Sequence, residues 1–88
     1  MRETTVLERA ASPKQQLQEY AQALHGAPPD YVVLAERGQA HARAFLIQAR
    51  MRNAEGELQS FPSAWGRTRK EAERWAAHEA LLVLHPKN

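Results

Sequence analysis

Arg69 and Lys70 stand side by side at the head of an alanine-rich run, Gly66-Arg67-Thr68-Arg69-Lys70-Glu71-Ala72-Glu73-Arg74-Trp75-Ala76-Ala77. Thr68, with Glu71 three residues on, has the pattern of a capping box, so a helix is expected to begin there. The first four N–H groups of a helix have no partner inside it, and its dipole is positive at that end. A helix start therefore attracts anions. The same dipole favours acids over cations in the first turn, so Arg69 and Lys70 are placed against local helix stability. A phosphate-bearing polyanion outside the helix is the simplest reason for them.

Few other residues offer chemistry. Glu8, Glu19 and Glu36 are scattered carboxylates with no partner arrangement for acid–base or metal work, so no catalytic residue is expected. His25, His78 and His85 lack zinc-ligand spacing and are expected at the surface, and His41 alone reads as an ordinary loop residue. No metal, cofactor or small-molecule substrate is implied. With no cysteine there is neither a disulfide framework nor a thiolate metal site; a reducing, cytoplasmic setting fits. No apolar stretch reaches bilayer length, and Met1-Arg2-Glu3-Thr4-Thr5 opens no signal peptide, so no membrane partner is expected.

Eighty-eight residues make one small domain. The formal net charge of +2 is ordinary. Its distribution says more: Arg43, Arg50, Arg52, Arg67, Arg69, Lys70 and Arg74 concentrate in the later part of the chain. That asymmetry suits a polyanionic partner or a solvated face.

Residues 1–11 show no period and are expected to be a flexible leader, with 86–88 a short tail around the domain at 12–85. A first helix starts where Ser12 caps, Pro13 takes the first helical position and Gln15 follows as in a capping box. At roughly 100° per residue, Leu17, Tyr20, Ala21 and Leu24 share one face, with Gln15, Gln18, Glu19 and Gln22 opposite. Gly26 and Ala27-Pro28-Pro29-Asp30 end it. Tyr31-Val32-Val33-Leu34-Ala35-Glu36 reads as a strand. After the loop Arg37-Gly38-Gln39-Ala40-His41, Phe45 to Arg52 alternates. Phe45, Ile47, Ala49 and Met51 face the core, while Gln48, Arg50 and Arg52 face water. Asn53-Ala54-Glu55-Gly56 is a turn, and a weaker strand spans about 57–61, marked as an edge by Pro62. The last helix runs from Thr68 to about Leu84, with Ala72, Ala76, Ala77, Ala80, Leu81 and Leu84 as its apolar stripe. The expected fold is α+β, α-β-β-β-α, with two helices on one face of a three-stranded antiparallel sheet.

Over residues 12–85 this pattern resembles the double-stranded RNA-binding domain, and most closely the C-terminal domain of bacterial ribonuclease III. The resemblance rests on Leu17-Gln18-Glu19-Tyr20 after Ser12-Pro13, on the ungapped spacing of Tyr31, Gly38, His41 and Phe45, and on Gly66-x-Thr68-Arg69-Lys70 followed by Ala72 and Ala76-Ala77. It implies a shape reader of double-stranded RNA, spanning about 16 base pairs across two minor grooves and the phosphates between them. By the same resemblance, Gln18, Glu19 and Gln22 would enter one minor groove. Gly38, Gln39 and His41 would reach the second, and Arg67, Thr68, Arg69 and Lys70 would meet the major-groove phosphates. The family's catalytic acids belong to a separate domain, which nothing here resembles. The chain departs from the pattern at Glu73, where a third lysine is usual, with Arg67 and Arg74 as candidate compensation. It departs also at Ala64, Gln39 and Trp75.

A protein-interaction or dimerisation module on the same fold is the alternative. Trp75 and Leu82 lie one heptad apart off the alanine stripe, Trp65 precedes the helix, and the edge around 58–61 offers a second docking surface.

Overall fold

The computed structural model describes residues 12–85, so the leader expected at 1–11 and the tail at 86–88 lie outside the described residues. The elements run α1 (Pro13–His25), β1 (Asp30–Arg37), β2 (Ala44–Arg52), β3 (Leu58–Ser60), β4 (Ala64–Gly66) and α2 (Arg69–Leu84). β2 is central: β1 pairs along one edge and β3 and β4 share the other, all antiparallel. The expected α-β-β-β-α order holds, with the third strand in two pieces.

Its interruption has a local cause. Arg50 pairs Ser60 and Ile47 pairs Ala64, so residues 61–63 face only 48 and 49, one residue too many. This is a bulge, and Pro62 within it has no N–H to give to a ladder. The Phe61 N–H still reaches the Ala49 carbonyl at 3.1 Å, while the Phe61 carbonyl accepts from Gln48 Nε2 at 3.0 Å. A second shift lies in β1, where Val33 pairs Ile47 and Ala35 pairs Leu46, leaving Leu34 extra and exposed.

Phe45, Ile47, Ala49 and Met51 of β2 are buried, as their alternation requires. They meet Leu17 and Ala21 of α1, Phe61, and Ala72, Ala76, Ala77 and Ala80 of α2. With methyl groups as its inner face, α2 lies close on the sheet. Leu24 shares the azimuth of Leu17 but is 37% exposed. The buried cluster ends at Ala21, so the last turn of α1 runs past the core.

Capping fixes both helix starts. Ser12 Oγ accepts from the Gln15 N–H at 3.2 Å. The Gln15 side chain lies 3.5 Å from Glu19 Oε2 rather than turning back, so the expected box is half made. Gly26, at φ +68°, closes α1 with its N–H on the Gln22 carbonyl at 2.7 Å. At α2, Thr68 Oγ1 accepts from the Glu71 N–H at 3.0 Å, and Glu71 Oε1 accepts from the Arg67 N–H at 2.8 Å. One N–H that a bare helix end leaves unpaired, that of Glu71, is thus engaged, while the Glu71 carboxylate reaches past the cap to the residue before it instead of closing the box on the Thr68 N–H.

Candidate nucleic-acid interface

Three exposed surfaces carry the residues singled out above. On α1, Gln18, Glu19 and Gln22 all face solvent. Between β1 and β2 the chain turns sharply at Gly38, whose φ of +90° and whose place 2.2 Å (for an added Cβ) from the Ala42 carbonyl oxygen exclude a side chain. The Ala42 N–H bonds the Gln39 carbonyl at 2.9 Å, and this tight turn leaves Gln39 and His41 exposed.

At the start of α2, Arg67, Thr68, Arg69 and Lys70 are also exposed. The adjacent cations diverge. Arg69 lines an open cleft of about 820 Å³ with Arg67, Thr68 and residues 40–43 of the β1–β2 loop. Lys70 lines a second cleft, about 470 Å³, with Thr68, Arg74 and Lys14 of α1. The head of α2 therefore shares one cleft with the β1–β2 loop and another with Lys14 at the start of α1.

Glu36 and Arg43 were not among the expected residues. Glu36 lies 3.5 Å from Arg43 Nη1 through one carboxylate oxygen and 3.5 Å from Arg69 Nη2 through the other. The Arg69 guanidinium also sits 5.7 Å from the centre of the Phe45 ring. Such exposed pairs contribute little stability, but together they restrict where Arg69 points. The available signal was the position of Glu36 and Arg43 on the two flanks of one loop.

Glu73 is not the free repulsion that its place in the signature suggests. Its Oε1 lies 2.5 Å from Lys14 Nζ, a bridge from α2 to α1 across 59 residues of sequence. Lys14 is its ionic partner. Lys14 also lies 5.3 Å from the centre of the Tyr31 ring. Burial, and secondarily the charge of Glu73, push the Tyr31 hydroxyl up to about 12 from its ordinary value of 10.0. The neutral phenol is thus favoured by folding. Its contribution is complete below pH 10, where the unfolded chain also keeps the proton, and is lost as pH rises through about 12. A spectrophotometric titration is expected to show one tyrosine ionising near pH 12, and a thermal stability that declines between pH 10 and 12. In Tyr31→Phe that part of the decline should vanish; an unchanged decline would assign it elsewhere.

The residues of the alternative reading separate. Trp65 lies in β4, opposite Leu46 on the sheet face turned away from the helices, with the Arg37 guanidinium 5.5 Å from its ring centre. Trp75 lies on α2, edge-on to His78 at 5.7 Å, and Leu82 is exposed further along. They do not make one surface. The 58–61 edge is likewise divided, with Leu58 exposed and Phe61 buried in the core. His25 bonds the Asn53 carbonyl and His85 packs on Tyr20. His78 differs from expectation: it is half-buried against Trp75, and its Nδ1 has no hydrogen-bond partner among the described residues. Among the described residues no cluster of His, Asp and Glu is grouped to hold a metal, and no helix is long and apolar enough to cross a membrane.

The model of the double-stranded RNA binding motif matches residues 13–84. Ribonuclease 3 of Symbiobacterium thermophilum is 43% identical over 72 residues, covering 82% of this chain and 28% of that protein. Ribonuclease 3 of Nitrosococcus oceani is 41% identical over 78 residues, 86% of this chain and 31% of the relative. For that of Proteus mirabilis the figures are 35% over 77 residues, 88% and 32%. The chain thus spans under a third of the length of these relatives. With the match running from the first turn of α1 to the last residue of α2, the chain belongs to the double-stranded RNA-binding motif family.

Proposed function

We propose that this chain binds double-stranded RNA by shape, with little sequence preference. The observation that carries this reading is that the cationic head of α2 opens on one side to the β1–β2 loop and on the other to the start of α1 at Lys14. Gln18, Glu19 and Gln22 take one minor groove, where amides and a carboxylate suit 2′-hydroxyls that both donate and accept. Gly38, Gln39 and His41 take the next. Arg67, Thr68, Arg69 and Lys70 hold the phosphates between, and a phosphate contact carries no sequence information. RNA is preferred to DNA because hydroxyls and A-form groove spacing are what is read. In a ribonuclease like its relatives, such a module would hold the duplex while cleavage is performed by residues outside this chain.

The test is a titration into labelled 20-base-pair duplexes, RNA and DNA of one sequence, at two salt concentrations. With about three or four phosphates neutralised, log affinity against log salt should have a slope of roughly −3. RNA should bind more tightly than DNA. A flat salt response, or equal binding to both, would reject the shape-reading mode. A second reading rests on the exposed Trp75 and Leu82 of α2, which suit a protein partner or a second copy. Folded protein that binds neither duplex, but self-associates until Trp75→Ala abolishes the association, would favour it.

A further inference from the structure

The bridge between Lys14 and Glu73 has a second face. Lys14 Nζ has three N–H donors, and Glu73 takes one. The Lys14 side chain remains 40% exposed, against 27% for Glu73. It lines the cleft between the two helices together with Thr68, Lys70 and Arg74. The cleft's wall thus carries three cations, from two separate elements. The one carboxylate in that wall is Glu71, whose Oε1 is occupied by the Arg67 N–H. Lys70 and Arg74 are four residues apart on α2 and so share a face. Lys14 is four residues before Gln18 on α1, one turn from the polar face assigned to a minor groove.

We propose that Lys14, Lys70 and Arg74 form a single phosphate-binding cleft for the duplex backbone. In it, α1 supplies through Lys14 the positive charge that α2 lacks at Glu73. Glu73 takes one of the Lys14 N–H donors and offsets part of its charge, so phosphate binding depends on Lys14 and not on Glu73. This rests on the duplex-RNA reading and extends it to two residues, Lys14 and Arg74, outside the signature. Its ligand is the RNA phosphodiester.

A simple strut and a phosphate ligand predict different symmetries. If the bridge only braces the helices, Lys14→Gln and Glu73→Gln lose stability alike and affect RNA alike. If Lys14 faces phosphate, the two diverge. Lys14→Gln should bind a 20-base-pair RNA duplex about fivefold more weakly at low salt, with the slope of log affinity against log salt shallower by about one. Glu73→Gln should bind at least as tightly as the unaltered chain, although both variants lose the bridge. Arg74→Gln, which leaves the bridge in place, should lose about one unit of slope as well, and it serves if Lys14→Gln does not fold. Equal weakening in Lys14→Gln and Glu73→Gln would overturn the proposal. So would an unchanged slope in Lys14→Gln or Arg74→Gln while the unaltered chain binds. Failure of the unaltered chain to bind RNA would instead remove the underlying reading, and the proposal with it.

Discussion

Gly66→Ala is expected to lose about 3 kcal/mol of folding stability, at the upper end for an overpacked site. A Cβ added at Gly66 would stand 2.3 Å from the Ala72 nitrogen, 2.6 Å from the Ala72 Cα and 2.9 Å from the Glu71 carbonyl carbon. These are backbone atoms of α2, so no rotamer change relieves them. Either β4 leaves β2 or α2 lifts from the sheet, and α2 carries four of the buried residues of the core. A domain of this size has only a few kcal/mol to lose. Gly56→Ala is the control: its φ of +82° disfavours a side chain, but nothing lies within 4 Å of the added methyl, so the loss should be about 1–2 kcal/mol. Urea melts of the two variants followed by circular dichroism measure the difference. A Gly66→Ala midpoint close to that of the unaltered chain would contradict the close approach of α2.

Lys70→Glu should have the opposite profile, with binding lost and folding retained. Lys70 is exposed in the first turn of α2, where the dipole favours an acid by about 0.3–1 kcal/mol. Thermal stability should therefore hold or rise slightly. On the proposed RNA reading, the reversal removes one phosphate contact and sets a negative charge beside the backbone. Affinity is expected to fall by about 30- to 100-fold at low salt, alike for every duplex sequence. Titration and a thermal melt on the same sample separate the two effects. Undiminished binding in a folded variant would show that the head of α2 does not meet phosphate. A loss confined to certain sequences would argue for base reading in its place.

Why some of this was legible in the chain and some not follows from the range of the interactions involved. Ser12-Pro13, Gly26 and Thr68 act within one helical turn, so the ends of α1 and α2 could be read directly. The alternation of Phe45, Ile47, Ala49 and Met51 is likewise local, and it placed β2 and its buried face. Ala64-Trp65-Gly66 has no period long enough to announce a strand; it becomes β4 only because β2 offers an open edge beyond the Pro62 bulge. The same holds for Leu34, whose displacement depends on which residue of β2 it would have met. Of the candidate interface, the exposed residues on α1, the loop and α2 were legible as types at fixed spacings. The divergence of Arg69 from Lys70, the Glu36 contacts with Arg43 and Arg69, and the Lys14–Glu73 bridge were not. Each joins elements far apart in sequence, and no local pattern encodes a partner that only the folded chain brings near.

The alanine face of α2 also bears on how stability varies with temperature. Ala72, Ala76, Ala77 and Ala80 surrender no side-chain rotamer freedom on burial, so this helix docks at low entropic cost. They also remove little apolar area from water, and that area is the main source of the heat-capacity change on unfolding. A core filled in large part by methyl groups therefore has a small heat-capacity change for its length. The smaller that change, the flatter the stability curve, so stability should decline slowly on either side of its maximum.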